Sequence, residues 1–138
     1  MKKIIVITFI ILLMSGCANN KLVCSSSATS DDIQIIQNYK LTYEKNEIKE
    51  FVIHKTYKFE DEERYKSFGL LMDIYKKNIE SMKNDGVVYS QINGNKTYKF
   101  KLKVTTEDLT DDKLSTLELN VKLDEFQKIL EDQGLKCK

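Results

Sequence analysis

Apolar and polar positions recur along most of this chain, and the period changes from segment to segment. Tyr39, Leu41 and Tyr43 alternate with Lys40, Thr42 and Glu44, so Ile35 to Glu44 reads as a half-buried strand. Ile48 to Phe59 reads as the next, with Phe51, Ile53, Tyr57 and Phe59 on one face. A two-residue loop at Lys45-Asn46 would set Tyr39 and Leu41 against Val52 and Glu50. A three-residue loop, Lys45-Asn46-Glu47, instead sets Leu41 opposite Phe51, Tyr39 opposite Ile53 and Ile35 opposite Tyr57. The second register keeps one apolar face and is therefore expected. From Asp61 to Asn84 the spacing lengthens to three and four. Tyr65, Phe68, Leu71, Met72, Tyr75, Ile79 and Met82 predict an amphipathic helix with that stripe against the sheet. Asp61, Glu62 and Glu63 suit its positive N-terminal end, and Gly86 supplies the stop.

Val87 to Ile92 and Lys96 to Thr105 predict a second hairpin around Asn93-Gly94, a favoured type I′ pair. That turn sets Tyr89 opposite Tyr98 and Val87 opposite Phe100. Thr106 to Lys113 reads as an acidic loop. Leu117, Leu119, Val121 and Leu123 alternate with polar residues and predict a last long strand. Asp124 is the expected cap of a short helix carrying Phe126, Ile129 and Leu130 and ended by Gly134. Leu22 to Cys24 begin a first strand, Ser25 to Asp32 reads as a loop, and Leu135 to Lys138 as a short tail. The expected fold is α+β: an antiparallel sheet of hairpins, with one long and one short helix packed on one face.

The first residues follow a different pattern. Lys2 and Lys3 precede an apolar run from Ile4 to Met14, broken by Thr8 and ended by Ser15, Gly16 and Cys17. Eleven positions are too few for a span, which needs about 20 apolar residues. The flanking lysines and small residues point to a secretory signal peptide. Met14-Ser15-Gly16-Cys17 resembles the lipobox of bacterial lipoproteins, with Met14 where leucine is usual. That resemblance implies cleavage after Gly16 and a diacylglycerol thioether on Cys17, the membrane partner of the chain. The expected organisation is a signal peptide over 1–16, a lipidated N-terminus and tether over 17–21, and a single extracytoplasmic domain over 22–138.

Without Lys2 and Lys3 the chain carries 20 basic and 21 acidic residues. This balance gives no global drive toward nucleic acid. Proline is absent, while lysine, asparagine and isoleucine are abundant, a bias of AT-rich coding. With Cys17 acylated, Cys24 and Cys137 remain near the two ends of the domain. Chain ends often lie close together, and a disulfide is permitted outside the cytoplasm; two free thiols are the alternative. Two isolated cysteines and a distant His54 have no zinc-like spacing, so no metal or cofactor is expected.

Other chemistry is sparse. His54 alternates away from Phe51 and Ile53, onto the solvent face. No nucleophile elbow, phosphate loop or zinc-protease motif occurs. Glu107, Asp108, Asp111 and Asp112 lack the ordered spacing of a calcium loop and read as a solvated acidic stretch. Lys99, Lys101 and Lys103, with Lys40 and Lys58, would make one sheet face basic, toward anionic headgroups. Protection against edge pairing explains such lysines equally simply and is the preferred reading.

Tyr39-Lys40-Leu41-Thr42-Tyr43, then a long helix, then Asp85-Gly86-Val87-Val88-Tyr89-Ser90, resembles the YehR-like family of small bacterial lipoproteins. Leu119-Asn120-Val121-Lys122 and the closing Gly134-Leu135-Lys136 are similar too. The resemblance implies an α+β extracytoplasmic lipoprotein and transfers no catalytic residue. The expected function is a non-enzymatic binding or accessory module at the cell surface, with an unknown protein or small molecule as partner. The alternative is an envelope-assembly protein docking through its sheet face. A concave apolar pocket would favour the first, and a flat exposed apolar patch the second.

Overall fold

The computed structural model describes residues 20–83 and 85–138. The apolar run, Cys17 and the expected helix end at Asn84 lie outside the described residues. Six strands form one antiparallel sheet: β1 (Asn20–Ser30), β2 (Ile33–Glu44), β3 (Glu47–Phe59), β4 (Val87–Gly94), β5 (Thr97–Thr105) and β6 (Lys136–Cys137). Their order across the sheet is β4-β5-β3-β2-β1-β6. Helix α1 (Glu62–Glu80) connects β3 to β4. After β5 come a 3-10 turn (Thr106–Asp108), α2 (Asp111–Thr116) and α3 (Leu123–Asp132). The fold is α+β as expected, and the inward sheet rows, among them Leu41, Phe51, Leu102 and Val104, are buried.

Each hairpin departs from its expected turn, for a local reason. Ser25 to Asp32 is not a loop: β1 continues to Ser30 and turns at Asp31-Asp32. Both aspartates have positive φ, 47° and 65°, which short polar side chains tolerate in type I′ turns. The serines mark a strand with little to bury, since Ser26 to Ser30 pair with β2 alone. Between β2 and β3 the expected partners form: Leu41 with Phe51, Tyr39 with Ile53, Ile35 with Tyr57. The loop, however, has two residues, because Glu44 pairs with Glu47, and a bulge at Lys49 restores the parity. The Thr106 hydroxyl lies 3.1 and 3.2 Å from the carbonyls of Ile48 and Lys49 at that bulge.

The β4–β5 hairpin turns at Asn95-Lys96, with φ of 48° and 54°, and not at Asn93-Gly94. Tyr89 therefore faces Leu102, and Val87 faces Val104. The inward rows are unchanged, because the slip is an even number of residues. The later turn adds the pairs Asn93–Tyr98 and Gly94–Thr97. It is also tied to the end of β3: the Phe59 amide donates to the Lys96 carbonyl at 2.9 Å, and Lys96 Nζ donates to the Glu60 carbonyl at 2.7 Å.

Helix α1 starts at the Asp61 cap, whose carboxylate accepts from the Arg64 amide at 2.8 Å. Met72 and Ile79 are buried on it, as is Met82 just beyond its end. Tyr65, Phe68 and Tyr75 are half-buried. Leu71 is not part of the seam: it is 63 % exposed, beside exposed Leu70 and Ile74. Positions 65, 68, 72, 75, 79 and 82 form a narrow seam, and Leu71 falls on its shoulder.

Neither the acidic loop nor the final strand forms. The stretch holds the 3-10 turn and α2, and Leu117 to Lys122 is irregular apart from a bridge between Lys122 and Glu47. The reason is a helix-ending motif. The Leu119 amide donates to the Leu114 carbonyl at 2.9 Å, the Glu118 amide to Ser115 at 3.0 Å, and Glu118 has φ 57°. Leu114, Leu117 and Leu119 are buried around this cap, which imitates a strand's alternation. The same motif ends α3, where Gly134 has φ 90° and the Leu135 amide donates to Leu130 at 3.0 Å.

Phe126 and Leu130 of α3 are buried, and Ile129 is exposed. Asp124 lies in the first turn and is not the cap. The cap comes from the β2–β3 turn instead. Asn46 Oδ1 accepts from the Asp124 amide at 3.0 Å, and Asn46 Nδ2 donates to the Asp124 carboxylate at 2.8 Å. That bond, with the Glu125 amide, holds the Asp124 carboxyl below its usual pKa.

The expected tail is strand β6. Val23 and Lys138 exchange two backbone hydrogen bonds, of 3.0 and 2.9 Å. The neighbouring pair, Cys24 and Cys137, is disulfide-bonded with Cα atoms 4.0 Å apart. Of the two readings of these cysteines, the bonded one is the one that forms. In an antiparallel ladder the non-hydrogen-bonded pair brings its Cα atoms closest, which is where this bridge sits.

Candidate functional site

Between the inward sheet face, α1 and α3 lies a cavity of about 700 Å³. Its floor is Tyr39, Ile53, Tyr57, Phe100 and Leu102. Phe68, Met72 and Tyr75 wall it from α1, and Phe126, Ile129 and Leu130 from α3. The space exists because the two helices seat on different parts of the sheet. On the α3 side, Phe126 packs edge-on against Phe51 and Tyr39, with centroids 5.3 and 6.1 Å apart. On the α1 side, Phe68 packs against Phe59 at 5.1 Å and Tyr57 at 4.7 Å, and Tyr75 against Tyr89 and Phe100 at 6.0 Å. Exposed Leu71 and Ile129 complete the lining at the opening.

Two charged side chains reach this aromatic space. The inward row of β3 runs Phe51, Ile53, Lys55, Tyr57, Phe59, so Lys55 points to the cavity, with Nζ 5.5 Å from the Tyr39 ring centre. Glu118 stands on the α2 cap in a left-handed conformation, one that costs a non-glycine residue about 1–2 kcal/mol. Burial, and then the Glu118 charge, push the Tyr39 hydroxyl up to about 12. Burial likewise pushes Tyr75 up to about 12, aided by Tyr39, Tyr57 and Glu118. Burial also raises Tyr57, against the lowering effect of Lys55. These hydroxyls are neutral at ordinary pH. The stability that comes from keeping them protonated is complete below pH 10 and is lost as pH rises through 12.

The arrangement sets one cation and one carboxylate at the rim of an aromatic space. No group of three or more histidine, cysteine, aspartate or glutamate side chains that would hold a metal occurs among the described residues. His54 is exposed on the opposite sheet face as expected. Partial burial lowers its pKa, followed by the charges of Lys101 and Lys40. The sequence reading missed Lys55 and Glu118. Lys55 was detectable, because it falls in the same alternating row as Ile53 and Tyr57. Glu118 was not, because its place depends on a helix cap read as a strand.

Among the described residues no helix is long and apolar enough to cross a membrane. No family model, no curated protein and no solved structure matches the chain.

Proposed function

We propose that this is a membrane-anchored bacterial lipoprotein whose domain binds a small molecule without transforming it. The cavity carries this reading. Its volume of about 700 Å³ falls within the roughly 300–1,000 Å³ range of small-molecule sites. Its walls suit an apolar or aromatic body, and Lys55 supplies a cation for an acidic end group. The neutral tyrosine hydroxyls add donors and acceptors that fix orientation. Glu118, held in a costly conformation at the same cavity, is a second polar determinant. Membership among YehR-like lipoproteins and acylation at Cys17 belong to this proposal. With labelled fatty acid, the wild-type chain should become labelled and Cys17→Ala should not.

An anionic aromatic dye, anilinonaphthalene sulfonate, tests the cavity. One dye should bind per wild-type molecule with a rise in fluorescence. Lys55→Gln should weaken binding about tenfold, the value of one charge-assisted hydrogen bond. Thr116→Trp, at an exposed lining position, should block it while leaving circular dichroism unchanged. Equal binding by all three proteins would mean that the cavity is not the site.

A further inference from the structure

The outward face of the sheet carries a charge pattern that the cavity does not use. Strand pairing places its residues in rows. One row runs Val23, Lys40, Val52, Lys103, Val88; the next runs Ser25, Asn38, His54, Lys101, Ser90. Lys99 and Lys58 follow in the rows beyond. Strand β6 extends the face, because Lys136 pairs with outward Ser25 and Lys138 bonds to outward Val23. All these lysines are exposed. Glu50 offsets one of them, with its carboxylate 3.0 Å from Lys103, and Glu44 and Glu47 stand apart at the β2–β3 turn. The whole chain is nearly neutral, so this concentration of one sign is a matter of placement.

Edge protection does not account for the placement. Lys99, Lys101 and Lys103 lie on β5, and Lys40 and Lys58 on β2 and β3, all interior strands. The edge strand β4 turns Val88 and Ile92 outward, 61 % and 71 % exposed, beside Lys103 and Lys99. The face is therefore a lysine field with an apolar margin. The outward rows hold no phenylalanine or tyrosine on which bases would stack, as single-stranded nucleic acid sites usually provide. The cations are lysines, which act as point charges on a diffuse anionic layer.

We propose that this face docks onto an anionic phospholipid surface, lying flat on the headgroups with Val88 and Ile92 at their boundary. Phosphate-bearing headgroups spaced across a plane match a field of lysines spaced across a sheet.

Lysine acetylation of the full chain reconstituted into vesicles tests this. In phosphatidylcholine vesicles containing phosphatidylglycerol, Lys99, Lys101 and Lys103 should acetylate about fivefold more slowly than in phosphatidylcholine alone. Lys76 and Lys77 on α1 should be unchanged, and high salt should remove the difference. Replacing Lys99, Lys101 and Lys103 with glutamine should abolish the protection of Lys40 and Lys58; should that variant misfold, the wild-type comparison decides alone. Equal acetylation in both vesicles, or protection that salt does not affect, would overturn the proposal. So would protection by added RNA or an acidic polypeptide but not by anionic vesicles.

Discussion

The two longer helices cover the same side of one sheet and are seated very differently. Helix α3 has ten residues, is fixed at its start by Asn46, and buries Phe126 and Leu130 almost completely. Helix α1 has nineteen, buries Met72 and Ile79, and leaves Leu70, Leu71 and Ile74 exposed. The longer apolar pattern thus gives the looser seat. A helix stripe is buried only as widely as the opposing surface fills it. Around Phe126 the sheet supplies Phe51 and Tyr39, whereas beside Leu71 the neighbouring space is the cavity.

Three substitutions probe that contrast. Phe126→Ala removes the ring on which α3 seats and should cost about 4 kcal/mol in urea denaturation, as large-to-small core changes do. Asn46→Ala removes a cap supplied from another hairpin and should cost about 1 kcal/mol. It should also let the Asp124 carboxyl rise toward the ordinary aspartate range, which an NMR titration would follow. Leu71→Asp should change stability by no more than about 0.5 kcal/mol. If Leu71→Asp were as damaging as Phe126→Ala, α1 would be seated as firmly as α3 and the contrast would be wrong.

The sequence was most legible where one face had to stay apolar. The partners of Leu41, Tyr39 and Ile35 follow from that need alone, even though a bulge at Lys49 replaced the expected loop. The slip in the β4–β5 turn was invisible for the same reason: moving it by an even step leaves every side chain on its own face. Strand β1 was hidden because Ser25 to Ser30 has one strand to pair with along most of its length and little to bury. The false strand at Leu117 to Leu123 arose because the burial pattern of a helix cap imitates a pleat. The cavity was the least legible feature. It is a space between elements, and Lys55 is the single residue whose place in an apolar row announced it.

The bond between Cys24 and Cys137 turns nearly the whole domain into a covalent ring, with a sequence separation of 113 between its ends. A single cut by a protease within that ring does not divide the molecule. The exposed turns at Asp31-Asp32 and Asn95-Lys96 are natural places for such a nick, and both lie inside it. A clipped copy would migrate as one chain until a reductant was added, then as two. Both fragments would stay joined through the bridge, so a once-nicked molecule would lose neither of them.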